Sequence, residues 1–304
     1  MATITLSDLH ALQRVIYDPT SSQHARQLAE SKLDELQQIE NSWRIHIELI
    51  QAAQDDFNIA FLLYIGLNKV IWKVWHCLPP EDQNSIKITL IQVLIAKFFQ
   101  MPPFLKSKIE QIISTICKNM LSYEIIFQII QHCEANSLNS IIGLSVFYTT
   151  FDDVLGFDSR VSNINKDILL QSAHSIAPQL ISMCNSICSH HFHNAANKIV
   201  AVSTSDNDTL IVAVNLIKVI IAKLPVTGNL IQPETLHILF SIAELSARSN
   251  VYTASSLSAL EALTEYMCKK FIPGENKEAS NAVLVELVAK AVSLVKLYGF
   301  VSTQ

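Results

Sequence analysis

The stretch that decides the fold is FFQMPPFLKSKIEQIISTICKN, residues 98–119, in which two adjacent prolines separate two apolar patterns. Behind the prolines, apolar side chains recur every three or four positions, at Leu105, Ile109, Ile112, Ile113, Ile116 and Cys117. That period places them on one face of an α-helix. Proline cannot continue a helix but suits its first turn, so we predict a sharp joint between a helix over 80–100 and a helix over 103–118.

Helical periodicity of the same kind extends along most of the chain. The stretch before the prolines has its own stripe, at Ile86, Leu90, Val93, Leu94 and Phe98, and no sustained alternation of period two occurs. Six glycines are too few for the tight turns that all-β and doubly wound folds need. Eight of the nine prolines fall at apparent joints, and Pro178 alone lies inside a helical pattern, which we expect it to kink.

The joints recur at a regular interval. Pairs of predicted helices begin near Asn41, Pro80, Leu121 and Asn165, which are about forty residues apart. Helix pairs of this length stacked in a row predict an all-α, HEAT-type helical-hairpin solenoid, an α-α superhelix. A helical bundle is the competing architecture. The helix predicted over 55–77 favours the solenoid because it is apolar on two sides, as expected between neighbouring hairpins.

Composition and charge narrow the class of protein. The formal net charge of −5 disfavours nucleic acid as a partner, since phosphate binding needs a basic field. The opening MATITLSDLH lacks the basic segment of a signal peptide, and the long uncharged run over 168–197 contains many polar residues. We therefore expect a soluble intracellular protein without membrane insertion, whose six scattered cysteines are free thiols.

Candidate chemistry is sparse. Cys184 and Cys188, followed by His190, His191 and His193, could bind zinc in principle, but their spacing matches no standard zinc motif. A buried cysteine pair before a solvated, histidine-rich helix end is the favoured interpretation. The chain also lacks a glycine-rich phosphate loop and a G-x-S-x-G motif. We predict no enzyme activity, no cofactor and no metal, and keep a zinc-assisted enzyme as the third hypothesis.

The paired acidic residues and the tryptophans are interpreted first as structural residues rather than as functional ones. Asp55-Asp56 and Glu81-Asp82 begin predicted helices, where acids compensate the helix dipole. The three tryptophans, Trp43, Trp72 and Trp75, are expected in the core, although an exposed Trp72 would be a plausible interface anchor. Lys106 and Lys108 lie off the apolar stripe and are predicted to face solvent, either as a merely solvated face or as a partner surface.

Several segments resemble, in the right order, the N-terminal part of the importin-β/exportin superfamily of nuclear transport receptors. The likeness covers most of residues 28–190 and resumes from about 236 to 300. Lys108 sits where that superfamily has a lysine. The segments are Trp43-Arg44, LNKVIWKVW (67–75), LIAKFFQMPPFLKSKIEQIISTI (94–116), IIGLSVFYTTFDDV (141–154) and LEALTEYMCKKFIPGE (260–275).

The resemblance implies an exportin-like receptor whose first repeats bind Ran-GTP through the second helix of each hairpin, here over 21–40, 55–77 and 102–118. It divides the chain into importin-β N-terminal-like repeats over 1–100 and exportin-like repeats over 101–304. The polar or anchoring residues on those helices, expected to face solvent and contact Ran, are Asp34, Glu35, Asn68, Lys69, Trp72, Lys73, Lys106, Lys108 and Glu110.

Partners follow from the same resemblance. They are Ran-GTP, nucleoporins and a protein cargo, with profilin–actin as the candidate cargo, for a monomer that shuttles between nucleus and cytoplasm. Superfamily members are several times longer, so we expect an N-terminal fragment or a shortened relative, truncated at its apolar end VLVELVAKAVSLVKLYGFV. The alternative hypothesis is a generic HEAT-repeat scaffold that bridges two proteins without binding a GTPase.

Overall fold

The computed structural model describes residues 4–53, 56–133, 140–156, 160–197, 204–226, 230–245 and 252–270, with the single residues 285 and 289. Over this part of the chain the regular structure is helical and no strand is present. The chain divides into two compact units, 1–165 and 166–304, and each is described by itself. The division at residue 100 was expected from the resemblance rather than from compactness, and it stays a prediction.

The first unit is a row of helical hairpins. Each first helix packs on the second helix of its hairpin, the second helices α4, α6 and α8 pack on one another in chain order, and α1 packs on α3 and α5 on α7. This two-layer order confirms the predicted solenoid and distinguishes it from a bundle. The helices are α1 (Leu6–Tyr17), α2 (Gln23–Leu36), α3 (Ser42–Ala53), α4 (Phe57–Val74), α5 (Pro80–Lys97), α6 (Pro103–Met120), α7 (Glu124–Cys133) and α8 (Ser140–Val154).

The predicted proline joint lies inside one hairpin. α5 ends at Lys97, and Pro103 occupies the first turn of α6, where a missing backbone N–H costs nothing. α6 ends at Met120, the following Leu121 has a left-handed φ of 53°, and the Ser122 N–H donates to the Cys117 carbonyl at 3.2 Å. Backbone geometry therefore fixes both ends of the lysine-bearing helix.

Helix α4 is the middle of the first unit. Asp56 caps it by accepting hydrogen bonds from the Asn58 and Ile59 N–H groups, as predicted for an acidic helix start. Within the described residues, Phe57–Cys77 is the one helical segment whose length and composition would let it cross a membrane. Its apolar side chains instead pack on α3 and α6, as in the core helix of a hairpin stack.

A close approach joins α3 to α4. A Cβ atom added at Gly66 would clash with Nε2 of His46, so a larger residue fits there only if the ring moves. His46 is buried, and its Nδ1 donates to the Ser42 carbonyl at 2.8 Å, which holds the ring in place. Burial lowers the pKa of His46 and keeps the imidazole neutral in the folded protein.

The second unit repeats the alternation of neighbours. α10 (Thr204–Lys223) packs on α12 (Thr253–Lys270), and α11 (Pro233–Ala243) packs on α12 as its hairpin partner. A buried hydrogen bond from Asn185 Nδ2 to Thr235 Oγ1, 2.8 Å long, joins α9 (Asn163–Asn197) to α11. α9 continues through Pro178 as one helix. The apolar end VLVELVAKAVSLVKLYGFV, residues 283–301, lies outside the described residues, apart from Val285 and Ala289.

Candidate protein-interaction surface on the second helices

The second helices of the first unit run parallel, which fixes where each predicted site residue lies. Near their amino ends, Phe61 of α4 meets Phe104 of α6 with ring centroids 5.4 Å apart. Near their carboxyl ends, Lys118 of α6 pairs with Asp153 of α8 at 2.9 Å. The predicted residues therefore fall into two groups at opposite ends of one helical layer, rather than into one site.

The carboxyl-end group consists of Asp34, Glu35, Asn68, Lys69, Trp72 and Lys73. Lys69 Nζ lies 3.2 Å from Asp34 Oδ1 and links α4 to α2, with about half of each side chain exposed. Glu35 and Lys73 are exposed, and Asn68 is half-buried. An exposed ion pair contributes little to stability, about 0–1 kcal/mol, so these charges can exchange partners at small cost.

Trp72 is neither the core tryptophan that was expected nor the fully exposed anchor that was the alternative. The ring is half-buried, and the guanidinium of Arg160, which follows α8, lies 4.3 Å from its centroid. A guanidinium over the face of an indole is a favourable cation–π contact. Trp43 and Trp75 are buried, as predicted for core tryptophans.

The amino-end group contains Lys106 and Lys108. Both are half-buried rather than fully solvated, because each ammonium lies over an aromatic ring. Lys106 Nζ is 4.2 Å from the Phe98 centroid, and Lys108 Nζ is 5.7 Å from the Phe61 centroid. Lys108 also donates to Gln111 Oε1 at 2.8 Å. These lysines are held in position by their neighbours.

Glu110 was expected to face solvent, and that expectation is wrong. It is buried at 5% exposure, where Ser145 Oγ and Thr149 Oγ1 of α8 donate to its two carboxylate oxygens at 2.8 and 2.9 Å. Burial raises the pKa of Glu110, while the two hydroxyl donors and Lys106 act in the opposite direction. The physical reason is that α6 packs on both α4 and α8, which leaves it only a narrow exposed strip.

A second polar contact joins α6 to α8, and the sequence analysis did not predict it. Lys118 is buried at 6% exposure, and its ammonium pairs with Asp153, which also accepts a short hydrogen bond from Ser114 Oγ. Ser114 and Lys118 are four residues apart on one helix face, so their spacing was a usable signal. Their common partner Asp153 could not be predicted in the same way, because only the packing of α8 on α6 brings it next to them.

The cysteine candidates lie in the core. Cys184 and Cys188 are buried in α9, and burial raises both thiol pKa values, that of Cys188 to about 12. Across the residues that the structure describes, no three histidine, cysteine or acidic side chains are grouped so that they could hold a metal ion. The side chain of His193 lies outside the described residues. Packing is therefore the role that the geometry of these two thiols supports.

Comparison with known proteins agrees with this architecture at the level of class. Residues 29–96, from α2 into α5, match the family model described as "Importin-beta N-terminal domain". The matched span contains every residue of the carboxyl-end group. The resemblance of the N-terminal hairpins to importin-β-type transport receptors is thus confirmed.

Among particular proteins, the chain is similar to exportins. It is 21% identical over 214 residues to Exportin-6-B of Xenopus laevis, a match that covers 68% of this chain and 19% of that protein. It is 22% identical over 201 residues to Exportin-6 of Homo sapiens, covering 62% of this chain and 18% of the relative. The chain therefore spans about a fifth of the length of the relatives that it matches.

Proposed function

We propose that the chain acts as a karyopherin-like nuclear transport receptor that binds Ran-GTP through the second helices of its first hairpins. The observation that carries this proposal is the importin-beta N-terminal match over 29–96, which spans α3, α4 and most of α2 and α5. The surface that α2 and α4 present there is polar, exposed and of mixed charge. Such a surface suits a reversible protein contact better than a catalytic site, which needs a cleft with convergent groups.

The carboxyl-end group supplies the proposed contacts. Asp34 and Glu35 on α2 offer carboxylates, and Lys69 and Lys73 on α4 offer ammonium groups. Because the Asp34–Lys69 pair is exposed, a bound GTPase can replace either partner with its own charge. Trp72 supplies an apolar edge beside these charges, with one face already covered by Arg160. Lys106 and Lys108 would extend the Ran contact along α6, while buried Glu110 would act through the packing of α6 on α8.

Cargo export, nucleoporin contact and shuttling between nucleus and cytoplasm belong to the same proposal. They rest on similarity to proteins named exportins, with profilin–actin as the candidate cargo. If Ran and cargo bind one conformation of the helical stack, each raises the affinity of the other by the same factor. Since the chain matches about a fifth of those relatives, Ran binding is the part of the activity that this chain can be tested for first.

The experiment is a pull-down with Ran loaded with a non-hydrolysable GTP analogue or with GDP. We expect retention of the GTP-analogue form only, and at least about tenfold weaker retention by the charge-reversed variant Lys69→Glu. Lys218→Glu is the matched control, because Lys218 forms the equivalent exposed pair with Glu261 between α10 and α12. Equal retention of both nucleotide states, or none by folded protein, would favour the scaffold hypothesis instead.

A further inference from the structure

An aromatic–lysine patch surrounds the turn between α5 and α6 and is defined as Phe61, Phe98, Phe99, Phe104, Lys106 and Lys108, of which Phe99 and Phe104 are exposed and Phe98 is buried. Phe99 is 56% exposed and Phe104 is 45% exposed, which places two phenylalanine rings in solvent within one short turn. Single exposed apolar residues are common, whereas two exposed aromatic side chains within six positions of the chain are a candidate interaction site. The turn that the prolines create therefore exposes more apolar surface than a simple connection between two helices requires.

The six side chains form two groups of three, one around Phe98 and one around Phe61, and each group includes one lysine of α6. Phe99 packs edge-on against Phe98 with centroids 5.5 Å apart, and Phe104 packs in the same way against Phe61. Lys106 lies over Phe98 and Lys108 over Phe61. Each exposed ring is thus backed by a second ring that carries an ammonium group. Because these contacts restrict the lysine rotamers beforehand, a ligand would lose less entropy on binding them.

The local charge is opposite to that of the whole chain. The patch carries the ammonium groups of Lys106 and Lys108 and includes no carboxylate, although the chain has a net charge of −5. Among the described residues no ion pair joins Lys106 or Lys108 to a carboxylate, although the charge of Lys106 acts on the carboxyl group of Glu110. The nearest candidate, Glu110, is directed to Ser145 and Thr149 of α8. The two ammonium groups are therefore available for a carboxylate from another molecule.

We propose that this patch is a docking site for an acidic peptide segment of a partner protein that carries phenylalanine or leucine side chains between its carboxylates. Its apolar side chains pack on Phe99 and Phe104, while its carboxylates pair with Lys106 and Lys108. Charge complementarity selects this occupant, since a basic segment would be repelled by the two lysines. The peptide binds as an extended or helical segment whose apolar and acidic residues alternate across the turn.

The docking site goes beyond Ran binding and lies at the other end of the helical layer. Phe61 and Lys69 are eight residues apart on α4, which corresponds to about 12 Å along the helix axis. A ligand on the aromatic–lysine patch and a GTPase on the carboxyl-end group would therefore share only Lys106 and Lys108. Phe99→Ser tests the peptide site alone, and Lys69→Glu tests the Ran surface alone.

The test measures binding of a fluorescently labelled peptide, in which glutamates alternate with phenylalanine and leucine, to the full chain by fluorescence anisotropy. We expect saturable binding that weakens as salt is raised. We expect Lys106→Gln with Lys108→Gln, and separately Phe99→Ser, each to weaken it by about tenfold or more. Ile88→Ser, at an exposed apolar residue of α5, and Lys69→Glu are matched controls that should leave the affinity unchanged.

Two control peptides define the chemistry, one with lysines in place of the glutamates and one with alanines in place of the apolar residues. Neither should bind. The proposal is overturned if the acidic peptide fails to bind at millimolar protein, if the lysine peptide binds equally well, or if the patch variants bind like wild type. It is also overturned if sedimentation shows a dimer that Phe99→Ser dissociates, because the occupant would then be a second copy of the chain.

Discussion

Replacing Asp153 by asparagine is expected to destabilise the first unit, because it removes a negative charge that pairs with the buried ammonium of Lys118. The side chain of Lys118 is 3% exposed, and its Nζ lies 2.9 Å from Asp153 Oδ2. Ser114 Oγ donates to the same oxygen and would lose a charged acceptor. The asparagine is close to isosteric, so the change removes charge without removing volume.

The magnitude follows from the exposure of the two partners. Breaking a fully buried ion pair costs about 3–5 kcal/mol, whereas an exposed pair contributes about 0–1 kcal/mol. Asp153 is 48% exposed, so water can partly solvate the Lys118 charge that the mutation no longer neutralises. We expect a loss of about 2 kcal/mol in the free energy of unfolding.

The assay is urea unfolding followed by tryptophan fluorescence, since all three tryptophans belong to the first unit. A double-mutant cycle with Lys118→Met isolates the pair, because methionine fills the site without a charge. In that background Asp153→Asn should cost less, with a coupling energy of about 1–2 kcal/mol. An equal cost in both backgrounds would refute the argument that the buried lysine is responsible.

Three further predictions concern buried groups of the same unit. Gly66→Ala should lower the free energy of unfolding, because the clash with His46 costs about 1–3 kcal/mol and exceeds the ~1 kcal/mol that alanine contributes to helix stability. In a His46→Ala background the same substitution should no longer destabilise the protein, as measured by urea titration. The pKa of His46 is lowered by burial, so stability should fall as the pH drops below about 6.5, and His46→Gln should flatten that part of a pH–stability profile. The pKa of Glu110 is raised by burial, so its contribution to stability has the opposite sign: it is present below about pH 4.5 and is lost as the pH rises. If a Glu110→Gln variant kept the wild-type slope of unfolding free energy against pH above that value, this assignment would be contradicted.

The helices that the sequence predicted are those whose signals lie within a single helix. Proline at 103 and the stripe from Leu105 to Ile116 define α6, since both depend on residues within one helix. The hairpin starts near Asn41 and Pro80 likewise lie within a residue of α3 and α5. Pairing each first helix with the next second helix then required only that the connections be short.

The candidate surface was harder to predict because it depends on what packs beside each helix. A single apolar stripe made Glu110 look exposed, but α8 covers that side of α6 and supplies two hydroxyl donors. Arg160 stacks on Trp72 from a position 88 residues away in sequence, which no periodicity reveals. Lys106 and Lys108 were placed off the core correctly, while the rings beneath them belong to α4 and the turn after α5.

The central proposal, that the first hairpins bind Ran in its GTP state, is tested most directly by one equilibrium measurement. The full chain is titrated into Ran loaded with a non-hydrolysable GTP analogue and, separately, into Ran loaded with GDP, with the heat of binding recorded. We predict binding to the GTP-analogue form that is at least about a hundredfold tighter than to the GDP form, a difference of about 2.7 kcal/mol. Equal affinity for the two forms, or no binding to either by a chain with intact helical content, would contradict it.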